Sequence, residues 1–145
     1  MEPDGVALER AIALACRAHR GQRYPAPREE PFILHPLRVM LAVDGALAQM
    51  TAVLHDVLED TAMTARDLNA ADLPRTVVEA VVALTHSDGC AYDAYIDEVA
   101  SNDLARVVKK ADLADNLMNN RRLPQTPDVV ARIGRYERAL KRLNA

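Results

Sequence analysis

An all-α chain of roughly seven to eight helices is what this sequence predicts, on three grounds. Half of its residues are hydrophobic, yet only 3% are aromatic, with one Phe and no Trp. Ala, Leu, Val, Arg and Asp dominate instead, which suits close helix packing better than β-sheet. Apolar residues recur at helical spacing, and Pro, Gly and Asp-Gly punctuate the chain at intervals typical of short bundle connections. At 145 residues the expectation is one domain, long enough to bury a core.

The first helix is expected over residues 5–20, with Leu8, Ile12, Ala15 and Cys16 on its packed face. His19 follows on that side and reads as a hydrogen-bonded core residue rather than a ligand. Residues 21–31 hold three prolines, two arginines and two of the acids, a loop that either rims a pocket or only connects two helices. A second helix starts at His35-Pro36, where proline suits a first turn, and Asp44-Gly45 ends it. The third is expected over 46–60, and Thr64 caps a short one over 65–69. Residues 74–84 form a fifth, although its valines leave a strand possible. An amphipathic segment over 91–100, a long helix over 104–123 and a last one over 128–143 complete the set. The arginines and lysine of that last helix read as a solvated face, with anion binding as the lesser alternative.

The formal charge of −3 argues against a general binder of nucleic acid polymers, because no net basic field is present. Cys16 and Cys90 show neither metal-ligand spacing nor a disulfide framework, which points to a reducing cytoplasm. The apolar run over 11–16 is too short for a membrane span, and the charged residues around it argue against a signal peptide.

Chemistry concentrates in His55-Asp56-Val57-Leu58-Glu59-Asp60, at the end of the apolar stretch from Met50 to Leu54. Four ionisable groups at the end of a buried helix are costly without compensation. Residues four apart share a face, so His55 is expected over Glu59 and Asp56 over Asp60. A divalent cation compensates such a cluster; the alternative is a solvated helix end with ordinary surface acids. Asp112 and Asn116, one turn apart on the long helix, form a second constellation beside Lys109 and Lys110. Taken alone, Asp112 reads as half of a salt bridge. His35 is a ligand candidate if the fold returns it to His55.

The order His35, His55-Asp56, Asp112 resembles the HD-domain metal-dependent phosphohydrolases. The stretches Ala18-His19-Arg20-Gly21-Gln22, Pro31-Phe32-Ile33-Leu34-His35-Pro36, His55 to Asp60, and Val108-Lys109-Lys110-Ala111-Asp112 to Asn116 narrow it. Together they resemble the hydrolase domain of the RelA/SpoT family, and its small stand-alone alarmone hydrolases most of all. The resemblance implies an HD-domain helical bundle in which His35, His55, Asp56 and Asp112 hold one divalent ion. That ion is usually Mn²⁺; two imidazoles and two carboxylates without a thiolate suit Mn²⁺, Fe²⁺ or Zn²⁺. It also implies that Glu59 and Asp60 position water and manage protons, while Asn116 and Lys109 belong with the substrate contacts.

The implied reaction is metal-dependent release of pyrophosphate from the 3′ position of guanosine tetra- or pentaphosphate by a cytoplasmic enzyme. Its partner is a small nucleotide, with no membrane involved. The alternatives are hydrolysis of another nucleotide and a non-catalytic nucleotide sensor; a metal serving stability alone is the bland reading. Two positions depart from the family pattern. Relatives commonly carry a base-packing Arg two residues after Gly-Gln, where this chain has Tyr24 and then Pro25. Tyr24 is expected to stack on the base and Arg23 to supply the cation. Asp115 stands where the family often has His or Tyr.

Overall fold

The computed structural model describes residues 4–145. Among the described residues nine helices follow one another: α1 (Asp4–Ala18), α2 (Leu34–Leu41), α3 (Ala46–Leu54), α4 (Val57–Asp60), α5 (Ala65–Ala70), α6 (Arg75–Leu84), α7 (Tyr92–Ala100), α8 (Asp103–Arg121) and α9 (Pro127–Leu143). Among the described residues the only β pairing is an isolated antiparallel bridge between Arg23 and Pro31.

α3 forms the axis. It packs against α1, α2, α6 and α8, and its residues Met50 to Leu54 are all buried. A helix apolar on every side must be enclosed on every side. Met50, Val53 and Leu54 face a core shared with Ala7, Ala11 and Ala15 of α1 and with Leu68, Val77 and Val81. Ala48 and Ala52 face a second core built from Val39, Leu84, Ile96, Val99, Leu113, Ala139 and Leu143. The alanine stripe of α1 leaves no bulk between backbones, so α1 lies close on α3 without aromatic filling. α6 is a helix despite its valines, because Val77, Val78 and Val81 are buried together at helical spacing while Val82 faces out.

Local signals set the ends. Thr64 and Asp67 form a reciprocal capping box on α5, and the Asn102 side chain accepts from the Ala105 amide at 2.9 Å to start α8. Thr126 caps α9 ahead of Pro127. In α2, Pro36 falls in the first turn, where its missing N–H leaves no intrahelical bond unmade.

The expected helix over 46–60 is broken. α3 stops at Leu54, and α4 is a single turn from Val57. At the break the His55 amide bonds the Ala52 carbonyl at 3.3 Å, and His55 Nδ1 bonds the same oxygen at 2.6 Å. That carbonyl would serve the Asp56 amide in an unbroken α-helix. The side chain of His55 has taken its place.

Candidate active site

The break turns His55 and Asp56 toward α2 and α8. His35 Nε2 lies 2.8 Å from Asp112 Oδ1, and His55 Nε2 lies 3.3 Å from the same oxygen. Asp56 Oδ2 lies 3.1 Å from His55 Nε2 and 3.6 Å from His35 Nε2. His35, His55 and Asp56 offer ligand atoms within 4.8 Å of one another. The four residues named in advance therefore face one small space, from three separate helical segments.

Each imidazole is locked through its other nitrogen. His55 Nδ1–H can only donate to the Ala52 carbonyl, and His35 Nδ1 meets Asp115 Oδ2 at 2.7 Å. Both Nε2 atoms are thereby aimed at the shared space, the arrangement in which a second partner fixes the ligating nitrogen. Asp115 is itself gripped by Arg38, whose Nε donates at 2.8 Å. The residue that departs from the family pattern is thus the one that orients His35.

Burial pushes the His55 pKa down, but the Asp56 and Asp112 carboxylates outweigh it and hold it well above its ordinary value. His35 is raised in the same way by Asp112 and Asp115 against its burial. Burial favours a neutral Asp112, yet Lys109 and the two histidines hold its pKa well below the carboxylate range. Without an ion, protons on Nε2 stand between nitrogen and carboxylate. Two oriented imidazoles and two ionised carboxylates are also the donor set a borderline or hard divalent ion takes, displacing those protons. The residues present fit such an ion.

Beside this cluster lies a cleft of about 280 Å³, lined among others by Tyr24, Glu59, Asp60, Lys109, Asn116, Arg135 and Tyr136. Glu59 and Asp60 are exposed to it from α4. Glu59 accepts a hydrogen bond from the His86 amide. Burial, then the charges of Asp56 and Glu59, raise the Asp60 carboxyl to about 6. Lys109 donates to Asp112 Oδ2 at 2.9 Å, and Asn116 Nδ2 donates to Asp112 Oδ1 at 3.2 Å. Asp112 is a lysine's salt-bridge partner through Oδ2, while its Oδ1 faces the two imidazoles.

Tyr24, Asn116 and Tyr136 also line an adjoining pocket of about 410 Å³, together with Pro25, Arg28, Asn120 and Arg132. Arg23 does not reach either space. The Arg23–Pro31 bridge makes the loop's neck an extended pair, in which neighbours point to opposite sides. Tyr24 faces the cleft; Arg23 faces away and donates to the Glu29 carbonyl within its own loop. The cation beside Tyr24 is Arg28 instead, with its guanidinium 3.5 Å from the ring centroid. Arg28 is fixed by Glu30 at 2.7 Å, and Glu30 also receives Arg38 at 2.9 Å. His19 is buried against Phe32, with Nδ1 on Gln22 at 2.8 Å and Nε2 buried without a hydrogen-bond partner among the described residues.

Sequence reasoning missed Arg28, Arg132, Arg135 and Tyr136 as cleft residues. The last three belong to the helix read as a solvated face, and only the packing of α9 on α7 and α8 brings them here.

No protein-family model matches the chain. Over 77 residues, 48% of this chain, it is 39% identical to the guanosine-3′,5′-bis(diphosphate) 3′-pyrophosphohydrolase of Vibrio cholerae. The match covers 10% of that protein, so the chain spans about a tenth of the curated relative's length. A solved structure described as a metazoan ortholog of SpoT that hydrolyzes ppGpp superposes with a TM-score of 0.81 at 22% identity. The superposition covers 100% of this chain and 89% of the other. The chain has that fold. The all-α expectation and the resemblance to SpoT-like hydrolases agree with these findings.

Proposed function

We propose that the chain is a metal-dependent nucleotide phosphohydrolase that removes pyrophosphate from the 3′ position of guanosine 3′,5′-bis(diphosphate). The observation that carries this reading is the pair of tautomer-locked imidazoles facing Asp56 and Asp112, with Glu59 and Asp60 on the adjoining turn. His35, His55, Asp56 and Asp112 would hold one ion, with Mn²⁺ favoured and Fe²⁺ or Zn²⁺ compatible. Once bound, it activates water and neutralises charge on the attacked phosphoryl group.

The protein groups supply the rest. Asp60, poised at about 6, can accept a proton from the attacking water near neutrality. Glu59, pinned by the His86 amide, orients that water. The water oxygen bonds to phosphorus, the bond from phosphorus to O3′ breaks, and O3′ takes up a proton as pyrophosphate leaves. Tyr24, backed by Arg28, offers a flat platform for the base in the adjoining pocket, while Asn116 bridges base and cleft. No helix among the described residues is long and apolar enough to cross a membrane.

A second reading, hydrolysis of another nucleotide, is favoured by one observation: Tyr24 and Pro25 occupy the base-facing loop. One assay separates the two. Purified, Mn²⁺-loaded protein is given a panel of nucleotides, and released phosphate and pyrophosphate are measured. Pyrophosphate release confined to 3′-pyrophosphorylated guanosine supports the first reading. Turnover of ordinary mono- or triphosphates alone would sink it.

A further inference from the structure

The cleft beside the His–Asp cluster is acidic. Asp56, Glu59, Asp60 and Asp112 line it, against two cationic side chains, Lys109 and Arg135. Lys109 is committed, since its ammonium bonds Asp112 at 2.9 Å and lies 5.4 Å from the Tyr95 ring centroid. Arg135 makes no ion pair among the described residues. Its guanidinium lies between two rings instead, 5.8 Å from the centroid of Tyr92 and 5.4 Å from that of Tyr136. An arginine with free donors that lines a cleft rich in carboxylates, yet pairs with none of them, is available to an incoming anion.

Its placement selects which anion. Arg132 and Arg135 are three residues apart on α9, so they share a face. Arg132 lines only the adjoining pocket, where it donates to Asn120 at 3.0 Å. Arg135 lines only the cleft with His35, Asp56 and Asp112. A nucleotide laid across the common wall of Tyr24, Asn116 and Tyr136 puts its base toward Arg132 and its 3′ phosphates toward Arg135. The planar guanidinium fork matches a phosphate in two-point contact, and flanking rings limit the freedom lost when it binds.

We propose that Arg135 is a substrate-binding residue that holds the outer phosphate of the 3′ diphosphate, the group that departs. This rests on the reading of the chain as a 3′-pyrophosphohydrolase. It adds that the site discriminates a diphosphate from a monophosphate through one side chain of α9. The helix thereby grips the diphosphate that is transferred to water, while the base is held from the opposite side, by the loop that carries Tyr24.

The test measures binding of methylenediphosphonate and of inorganic phosphate to Mn²⁺-loaded protein by calorimetry, independently of turnover. The unmodified protein should prefer the diphosphonate. Arg135→Gln should weaken that ligand about 10- to 100-fold, the range for losing a charge-assisted hydrogen bond, and change phosphate binding less. Arg135→Lys should fall between. Arg138→Gln, with the same net charge but outside the cleft lining, should behave as the parent protein. Equal diphosphonate affinity in Arg135→Gln, an equal loss in Arg138→Gln, or no preference in the parent would each overturn the proposal.

Kinetics then place the phosphate. The Arg135→Gln loss in kcat/KM should be the same for 3′-diphosphate nucleotides with and without a 5′ diphosphate. A loss confined to substrates carrying the 5′ group would assign Arg135 to that end instead and overturn the proposal. If the parent hydrolyses no nucleotide, the functional reading fails, while the binding measurement still decides Arg135.

Discussion

The two ends of the cleft, the proposed ion-facing end at the His–Asp cluster and the proposed substrate-facing end at α9 and the 21–31 loop, are built on different principles. At the His–Asp cluster most polar groups are held by a second partner: His55 by Ala52, His35 by Asp115, Asp115 by Arg38, Asp112 by Lys109 and Asn116. At the other end, Arg132 and Arg135 of α9 bond an amide or lie beside rings with charge to spare, while Arg28 of the 21–31 loop stacks on Tyr24 and is paired with Glu30. The first end is over-determined, which suits a geometry that must not vary. The second leaves donors open, which suits a surface that completes itself only around a ligand. Damage at the first should therefore cost structure and ion together, whereas damage at the second should cost substrate affinity alone.

The largest effect should come from Asp112→Ala. It strands a buried ammonium, and breaking such a pair costs about 3–5 kcal/mol, so both bound metal and melting temperature should drop. Full metal content by elemental analysis would break the comparison at its strongest point. Next, Asp60→Asn should keep the metal and lower kcat on the order of 100-fold, the scale of a lost general base; Glu59→Ala should likewise keep metal and lose rate. Asp115→Asn leaves the ligand set intact but loosens His35, and metal affinity should fall about 10- to 100-fold by titration. A smaller effect is expected from Arg28→Ala, which should raise KM about 10-fold with kcat and melting temperature nearly unchanged. Loss of metal in that variant would show that the two ends are not separable.

The mildest prediction concerns acid. Burial would raise the Asp115 pKa, but its bonds to His35 and Arg38 lower it to about 2. A depressed carboxyl stabilises the fold above its unfolded value of about 4, and that contribution fades as pH falls toward the folded one. Asp115→Asn protein should therefore lose less stability than the parent between roughly pH 4 and pH 2, measured by thermal melts without metal.

Much of the ion-facing end was legible in the sequence, because its cost is local. Four ionisable groups packed after Met50–Leu54 need compensation wherever the chain goes, and the resemblance to the HD-domain hydrolases is what joins His35 and Asp112 to them. The break at His55 was not legible. A single tight turn uses the same apolar spacing as a helix, and only the ring's hydrogen bond to Ala52 distinguishes them. Asp115 carried a signal that went unread: it follows Asp112 by three residues, as Arg38 follows His35, so the two pairs face each other across α2 and α8. The substrate-facing end was hidden for a different reason. Which side of a loop Arg23 takes depends on a bridge to Pro31, and whether α9 shows its arginines to water or to a cleft depends on its neighbours.

One run of contacts joins the two ends after all. The Tyr24 ring meets Arg28, Arg28 meets Glu30, Glu30 meets Arg38, Arg38 meets Asp115, and Asp115 meets His35. Whatever free energy passes along this run acts equally in both directions. Seating a base on Tyr24 would tighten the hold on the ion by the same factor by which the ion tightens the hold on the base. Guanidinium and carboxylate alternate along it, so Glu30 is shared between Arg28 and Arg38, and Asp115 between Arg38 and His35. If the chain binds both nucleotide and metal as proposed, these five side chains and the imidazole at their end are the physical route by which linkage between them would run.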